Sequence, residues 1–320
     1  MVSYIIKRCI MAALTLLVLI TIIFVLVRLL PGDPFINEKT NEAIRQYMIR
    51  YHGFDRPIYE QWVQYIGTLL KGNLGVSLKY PGRTVNDAIA ATFKYSADLG
   101  IKALTFALAM GLILGIIAAQ KAGRALDYVC IIIAIIGVSA PEFVVGTLIQ
   151  LGFSIKLRWF PATQWLSWRH MILPVFALGL HTLALIARLT RSSMMEVINQ
   201  DYILTARAKG LSNFQVIWRH QIRNSILPIV TIMGPMVAAV LTGTFVLERI
   251  FGIPGMGRFY VQSINDLDYT MVLGMTAFYG LFLVTANLLV DIIYGFVDPR
   301  IKLVEKKYKM SDLEETEGEA

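Results

Sequence analysis

The chain has 320 residues and a net charge of +8, with 56% of its residues hydrophobic and only 16% charged. Soluble globular chains carry about 45–50% apolar residues and about a quarter charged. One large water-soluble domain is therefore excluded, and the composition is that of a chain dissolved in lipid.

A bilayer core about 30 Å thick needs roughly 20 mostly apolar residues as helix. Residues 9–27 are charge-free and follow Lys7 and Arg8. This run is longer than the apolar region of a signal peptide, and no A-x-A-like cleavage site precedes the LLPGDP that ends it. Residues 1–30 are expected to form a cytoplasmic N-terminus and a retained first transmembrane helix. Residues 31–98 are mostly polar and are expected to form an extracytoplasmic accessory segment. It contains two helix-like stretches, residues 42–51 and 58–70. The second places Trp62, Tyr65, Ile66, Leu69 and Leu70 at helical spacing, the pattern of an amphipathic helix lying against membrane or protein. Gly72, Gly75, Pro81 and Gly82 then punctuate the chain.

Residues 99–300 supply five further candidate spans. Residues 103–120 and 224–247 are charge-free; 128–155 carry one charge, Glu142; 171–187 carry none but include His181; and 269–297 are interrupted only by Asp291. An all-α integral membrane protein with six transmembrane helices is expected. Intramembrane ionisable groups are costly and point to function by default. Glu142 follows Pro141, where a proline break frees backbone groups to line a cavity. Glu142 is a pathway candidate, with pairing to another helix as the alternative. His181 is a second candidate, with simple packing as its alternative, and Asp291 lies near the inner interface. Cys9 and Cys130 both fall within spans and have no metal-site spacing.

Lys and Arg in short loops set orientation. With the N-terminus inside, the cytoplasmic segments hold fifteen such residues and the two short outer loops five. Both termini are therefore expected in the cytoplasm, and the basic excess is read as attraction to anionic lipid headgroups rather than to nucleic acid. Residues 301–320 form a cytoplasmic tail whose acidic end, 311–320, lacks apolar periodicity and is expected to be disordered.

The cytoplasmic segment between the fourth and fifth spans, residues 191–223, is too long for a turn and too basic to insert. Ser193 with Glu196 and Ser212 with Gln215 both fit capping boxes. Gly210 sits where a left-handed residue would end a helix. The expected shape is helix, Gly-centred turn, helix. Ala206, Ala208 and Gly210 would let another protein's backbone approach closely.

The segment DYILTARAKGLSNFQVIWRHQIRNSILPIV, residues 201–230, resembles the EAA loop of binding-protein-dependent ABC importer permeases. The family's Ala and Gly fall on Ala206 and Gly210, and its later Leu-Pro on Leu227 and Pro228. Its leading Glu-Ala is replaced by Leu204 and Thr205, and the spacing from Gly210 to Leu227 is longer than in sugar-type permeases. Both departures resemble the oligopeptide, dipeptide and nickel subfamily. So do YIIKRCI followed by VRLLPGDPF at the N-terminus, and LERIFGIPGMGRFYVQSI, residues 247–264.

The resemblance implies a type I ABC importer permease fold in a bacterial cytoplasmic membrane. It implies a coupling element at Asp201, Thr205, Ala206, Lys209, Gly210, Leu211 and Ser212. It also implies an outer-loop turn motif at Glu248, Phe251, Pro254, Gly255 and Gly257. The implied partners are a second homologous permease, two ATPase subunits and an extracytoplasmic substrate-binding protein. ATP and Mg would sit on the ATPases, with no cofactor in this chain. The implied substrates are oligopeptides or dipeptides, with nickel or glutathione as alternatives. The competing class, an ion-coupled secondary transporter, predicts paired midplane charges and broken helices in symmetric halves, which the sequence does not show. The nearest approach to a phosphate-binding loop, GTLLKGN at residues 67–73, lacks the Lys-Ser/Thr that must contact phosphate and Mg²⁺. The four histidines are scattered, and neither an H-E-x-x-H nor a G-x-S-x-G sequence occurs.

Overall fold

The computed structural model describes residues 2–36, 41–241 and 245–297, and all the regular elements among them are helices. The acidic tail, residues 301–320, and the side chain of Asp291 lie outside the described set. The first helix, α1 (Val2–Arg28), runs unbroken along α14 (Tyr269–Val297). Four described helices are long and apolar enough to cross a bilayer, and a bent pair makes a fifth candidate.

The accessory segment folds as the sequence suggests, with α2 (Glu42–Tyr51) and α3 (Ile58–Leu69). Asn41 caps α2 by accepting from the Ile44 amide. The amphipathic face of α3 is turned onto protein. Trp62 and Tyr65 pack over a cluster containing Phe24, Val27, Phe35, Tyr269 and Leu273, and the Trp62 indole donates to Thr21 Oγ1 at 3.1 Å. Asp268, fully buried at the start of α14, accepts from the Ser77 hydroxyl, from the Leu78 amide at 3.1 Å and from the Met271 amide at 3.2 Å. One carboxylate thus caps a long helix and ties the accessory segment to it.

The second span begins earlier than its charge-free run. α4 (Val85–Gln120) is one helix of 36 residues, capped by Thr84, and it runs through position 98 without a break. At 1.5 Å per residue it is about 54 Å long, well beyond the hydrocarbon core. The charges on its first half have partners. Lys102 meets Asp98 at 2.5 Å, and Asp98 also accepts from the Trp165 indole at 3.1 Å.

α4 packs along α7 (Trp168–Ile198) through a stripe of small residues, Ala103, Ala107, Gly111 and Gly115. Lipid supplies no hydrophobic drive for helix pairing, so close backbone approach does the work. A Cβ on Gly115 would lie 2.5 Å from Thr190 Cβ and 2.7 Å from the Ala187 carbonyl oxygen.

The third predicted span is not one rod. α5 (Ala125–Ser139) and α6 (Glu142–Ile149), the latter continuing as a π-helical stretch Gln150–Lys156, meet at 109°. Pro141 is the cause: it forces Ala140 into an extended conformation (φ −87°, ψ 126°) and donates no amide hydrogen bond. Both halves pack on α7. The fifth predicted span is carried by α11 (Leu227–Leu241) and α12 (Phe245–Ile250), with residues 242–244 outside the described set. Pro228 lies in the first turn of α11, where its missing amide costs little.

Candidate functional site

At one end of the helix bundle, α7 carries the chain to Ile198 without interruption. The expected Ser193–Glu196 cap is not formed. Ser193 is buried inside the helix, and burial of Thr190 and Met194 holds α7 through this point. The hairpin beyond it does follow the expected grammar. α8 (Asp201–Ala208) ends at Lys209, and Gly210 adopts φ +78°, the left-handed conformation that closes a helix. Ser212 and Gln215 form the reciprocal capping box. They start a second helical arm made of α9 (Asn213–Gln215), a π-helical stretch Val216–Ile222 and α10 (Arg223–Ser225).

The two arms close on a small core of Ile203, Ala206 and Val216, flanked by Val197 and Leu211. Ala206 is 4% exposed, so its small side chain serves the packing of the arms and is not presented to a partner. Asp201, Thr205, Ala208, Lys209, Gly210 and Ser212 are exposed, and Leu211 is half-buried. Among the described residues, no heavy atom other than those of Gly210 and its chain neighbours lies within 4 Å of the position a Gly210 Cβ would take. Its requirement is therefore conformational within the chain.

The exposed face also carries residues that the motif does not single out. Phe214 and Trp218 are 74% and 64% exposed and stack on each other, ring centroids 6.5 Å apart. Tyr202 and Leu204 are exposed on α8, and Arg207, Lys209 and Arg219 add positive charge. The i, i+4 spacing of Phe214 and Trp218 was the available signal. Large exposed aromatics with Arg are the composition of protein-binding surfaces rather than of a solvated loop.

The hairpin is fastened to the bundle. The Gln120 side-chain amide, at the end of α4, donates to Gln221 Oε1 at 2.6 Å, and Gln221 is fully buried. Arg191 on α7 forms a bidentate pair with Asp127 on α5, at 2.6 and 2.8 Å, and Asp127 is 2% exposed. The Gly123 amide also donates to Asp127, at 2.9 Å.

At the other end, the predicted outer-loop motif forms a knot around one carboxylate. Glu248 is fully buried and Phe251 nearly so. Glu248 Oε1 accepts from the Ser96 hydroxyl at 2.6 Å, while Oε2 accepts from the Gly257 amide at 2.7 Å and the Arg258 amide at 3.2 Å. Ser96 Oγ in turn accepts from the Met256 amide at 2.9 Å. Gly255 and Gly257 are glycines because of this carboxylate: a Cβ on either would fall within 3 Å of Glu248 Oε2. Pro254 is exposed at the turn.

Glu142 and His181 come from two separately predicted spans, and the structure packs the helices that carry them, α6 and α7, against each other. Glu142 begins α6 at the bend, and both side chains are half-buried.

Residues 111–303 match the family described as binding-protein-dependent transport system inner membrane component, and residues 1–83 match the N-terminal part of such membrane components. The dipeptide transport system permease protein DppB of Bacillus subtilis is 45% identical over 307 residues, covering 96% of this chain and all of that protein. The oligopeptide transport system permease protein OppB of Salmonella typhimurium is 40% identical, covering 94% of this chain and all of its own length. The DppB of Lactococcus lactis is 37% identical, covering 95% of this chain. The crystal structure of an amino acid ABC transporter aligns with a TM-score of 0.52 at 17% identity, over 65% of this chain and 93% of the other. With its family model matched over most of its length and its relatives spanned end to end, the chain belongs to the inner membrane components of binding-protein-dependent transport systems.

Proposed function

We propose that this chain forms half of a pathway for dipeptides or oligopeptides and couples it to separate ATPase subunits through the hairpin at residues 199–225. The observation that carries this reading is an exposed aromatic and basic face, Tyr202, Leu204, Phe214 and Trp218 with Arg207 and Lys209, on a hairpin fastened to α4. A chain without a phosphate-binding motif needs such a surface to receive work done elsewhere. The relatives' names favour peptides as the substrate.

In this reading a second homologous permease completes the pathway and an extracytoplasmic binding protein delivers substrate. ATP and Mg are held by two ATPases seated on the hairpins of the two permeases, and the basic excess in the loops supports a cytoplasmic position for the hairpins and both termini. Closure of the ATPases pushes the hairpin, and because its core and its tie to α4 are rigid, the push moves α4 and α7 as bodies. ATP then acts by its differential affinity for two packed states.

Trp218→Asp and Phe214→Asp test the docking surface, since neither ring belongs to the hairpin core. Loss of one buried aromatic anchor costs about 2 kcal/mol or more of binding, about thirtyfold. Uptake of labelled dipeptides and copurification of ATPase activity should fall together while membrane insertion stays at the wild-type level. Normal peptide uptake by both well-inserted variants would refute the docking role. Loss of nickel uptake in place of peptide uptake would move the substrate to the metal branch.

A further inference from the structure

Where α1 ends, the accessory segment covers a cavity of about 380 Å³ that no part of the transport reading uses. Its wall includes Arg28, Phe54, Gln61, Gln64, Tyr65 and Tyr269. The Arg28 guanidinium is wedged between two rings, its Cζ 4.9 Å from the Phe24 centroid and 4.2 Å from the Phe54 centroid. The rings supply cation–π attraction but accept no conventional hydrogen bond. Nε and Nη1 of Arg28 are buried and meet no acceptor among the described residues. The carboxylate of Asp33, five residues further on, is engaged by Arg45 at 2.7 Å.

Two further buried polar atoms from residues of the same cavity wall lack partners among the described residues, the Tyr65 hydroxyl and Gln61 Oε1. Gln61 is held by its other amide atom, which donates to the Arg56 carbonyl at 2.7 Å, so Oε1 is fixed as an acceptor. Burial pushes the Tyr65 phenol up from its ordinary value, so its O–H remains a donor. The cavity therefore offers a cation and a hydroxyl donor for an oxyanion, an amide acceptor for a neighbouring donor, and aromatic walls.

We propose that this cavity is a phospholipid headgroup site, with the phosphate on Arg28 and Tyr65 and a headgroup ammonium or hydroxyl on Gln61. The membrane is the source of the oxyanion because of where the cavity lies. Arg28 closes the 24-residue apolar stretch that crosses the bilayer, which is headgroup depth. Beside it α2 and α3 expose Tyr47, Tyr51, Tyr59, Ile58 and Val63, the amphipathic aromatics and apolar residues of a membrane-surface element. A guanidinium donates charge-assisted hydrogen bonds to phosphate, and Arg28 keeps Nε and Nη1 donors without an acceptor among the described residues. A bound lipid would brace the accessory segment against α1 and α14, so the site would couple the lipid environment to the stability of this face.

Native mass spectrometry of the full-length protein, purified in detergent with any subunits that accompany it, tests the site with added phosphatidylethanolamine, phosphatidylglycerol and phosphatidylcholine. We expect wild type to retain one more phosphatidylethanolamine or phosphatidylglycerol than Arg28→Gln, with retention about tenfold weaker in the variant, the loss of one charge-assisted hydrogen bond. Tyr65→Phe keeps the wall and removes only the hydroxyl, so it guards against misfolding of the arginine variant, and it should weaken retention several-fold. Phosphatidylcholine, whose headgroup has no donor for Gln61, should be held less well than phosphatidylethanolamine. Equal lipid retention by wild type and both variants would overturn the proposal. So would unchanged lipid retention with loss of labelled dipeptide binding, which would give the cavity to a peptide carboxylate.

Discussion

Replacing Glu248 with alanine would leave three hydrogen-bond donors facing an empty space: the Ser96 hydroxyl and the amides of Gly257 and Arg258. Each buried donor left without an acceptor costs about 1–3 kcal/mol. Arg258 is exposed, so water reaches its amide first, whereas Ser96 and Gly257 are buried. With part of the loss recovered by water, we expect a net destabilisation of about 3–5 kcal/mol, among the larger single-site effects. Glu248→Gln is the discriminating control. Its amide oxygen can accept from both backbone amides while its NH₂ donates to Ser96 Oγ, so most of the knot survives. Thermal unfolding of the purified protein should show a fall of about 5–10 °C for alanine and a much smaller one for glutamine, and hydrogen exchange at Gly257 should quicken only in the alanine variant. An alanine variant that melts with wild type and exchanges Gly257 no faster would refute the reasoning.

Arg191→Ala would leave the buried Asp127 carboxylate without its bidentate partner. Breaking such a pair costs about 3 kcal/mol or more, and a double-mutant cycle with Asp127→Asn should recover most of it as coupling; additive effects would show that the pair contributes nothing beyond its parts. Gln221→Leu keeps the volume of a buried side chain but cuts the bond to Gln120. It should leave ATPase subunits bound while peptide uptake per ATP hydrolysed falls several-fold, and an unchanged ratio would remove this tie from the coupling route.

Much of this architecture was legible because it rests on local rules. Gly210 and the Ser212–Gln215 capping box state a helix end and a helix start within six residues, and both stand where the sequence puts them. The accessory helices were legible for the same reason. What failed depended on contacts. Ser193 has the sequence of a cap, yet tertiary burial of its neighbours keeps it inside α7. The apolar run at residues 128–155 is long enough to cross a bilayer, and Pro141 was visible in it, but hydropathy does not record that a proline there turns the chain through 109°. Glu248 was singled out only through a family motif. Its partner Ser96 lies 152 positions away, a pairing that no periodicity encodes. Arg28 reads as an ordinary basic flank of a span, and only the structure shows that its guanidinium turns back beneath the accessory segment.

The two ties on α4 give the proposed coupling a physical route. Ser96, about a third of the way along, is held by the Glu248 knot, and Gln120, its last residue, is held by Gln221 of the hairpin. Along an ideal helix these residues are about 36 Å apart, more than the hydrocarbon thickness. Between them α4 contains no proline and is locked to α7 by the close approach at Gly111 and Gly115. Bending such a pair would open gaps across an interface where backbone meets side chain at contact distance, and a close-packed interface resists small deformations and moves as a body instead. The broken span is the natural counterpart. α5 and α6 also pack on α7 but meet at a proline-induced bend that carries Glu142 at its vertex, so this is where relative rotation costs least. A straight rod tied at two points, beside an element already bent at Pro141, is an arrangement through which, in the proposed coupling, a push at the hairpin would reach the Glu248 knot and re-shape the space around the candidate pathway residues Glu142 and His181.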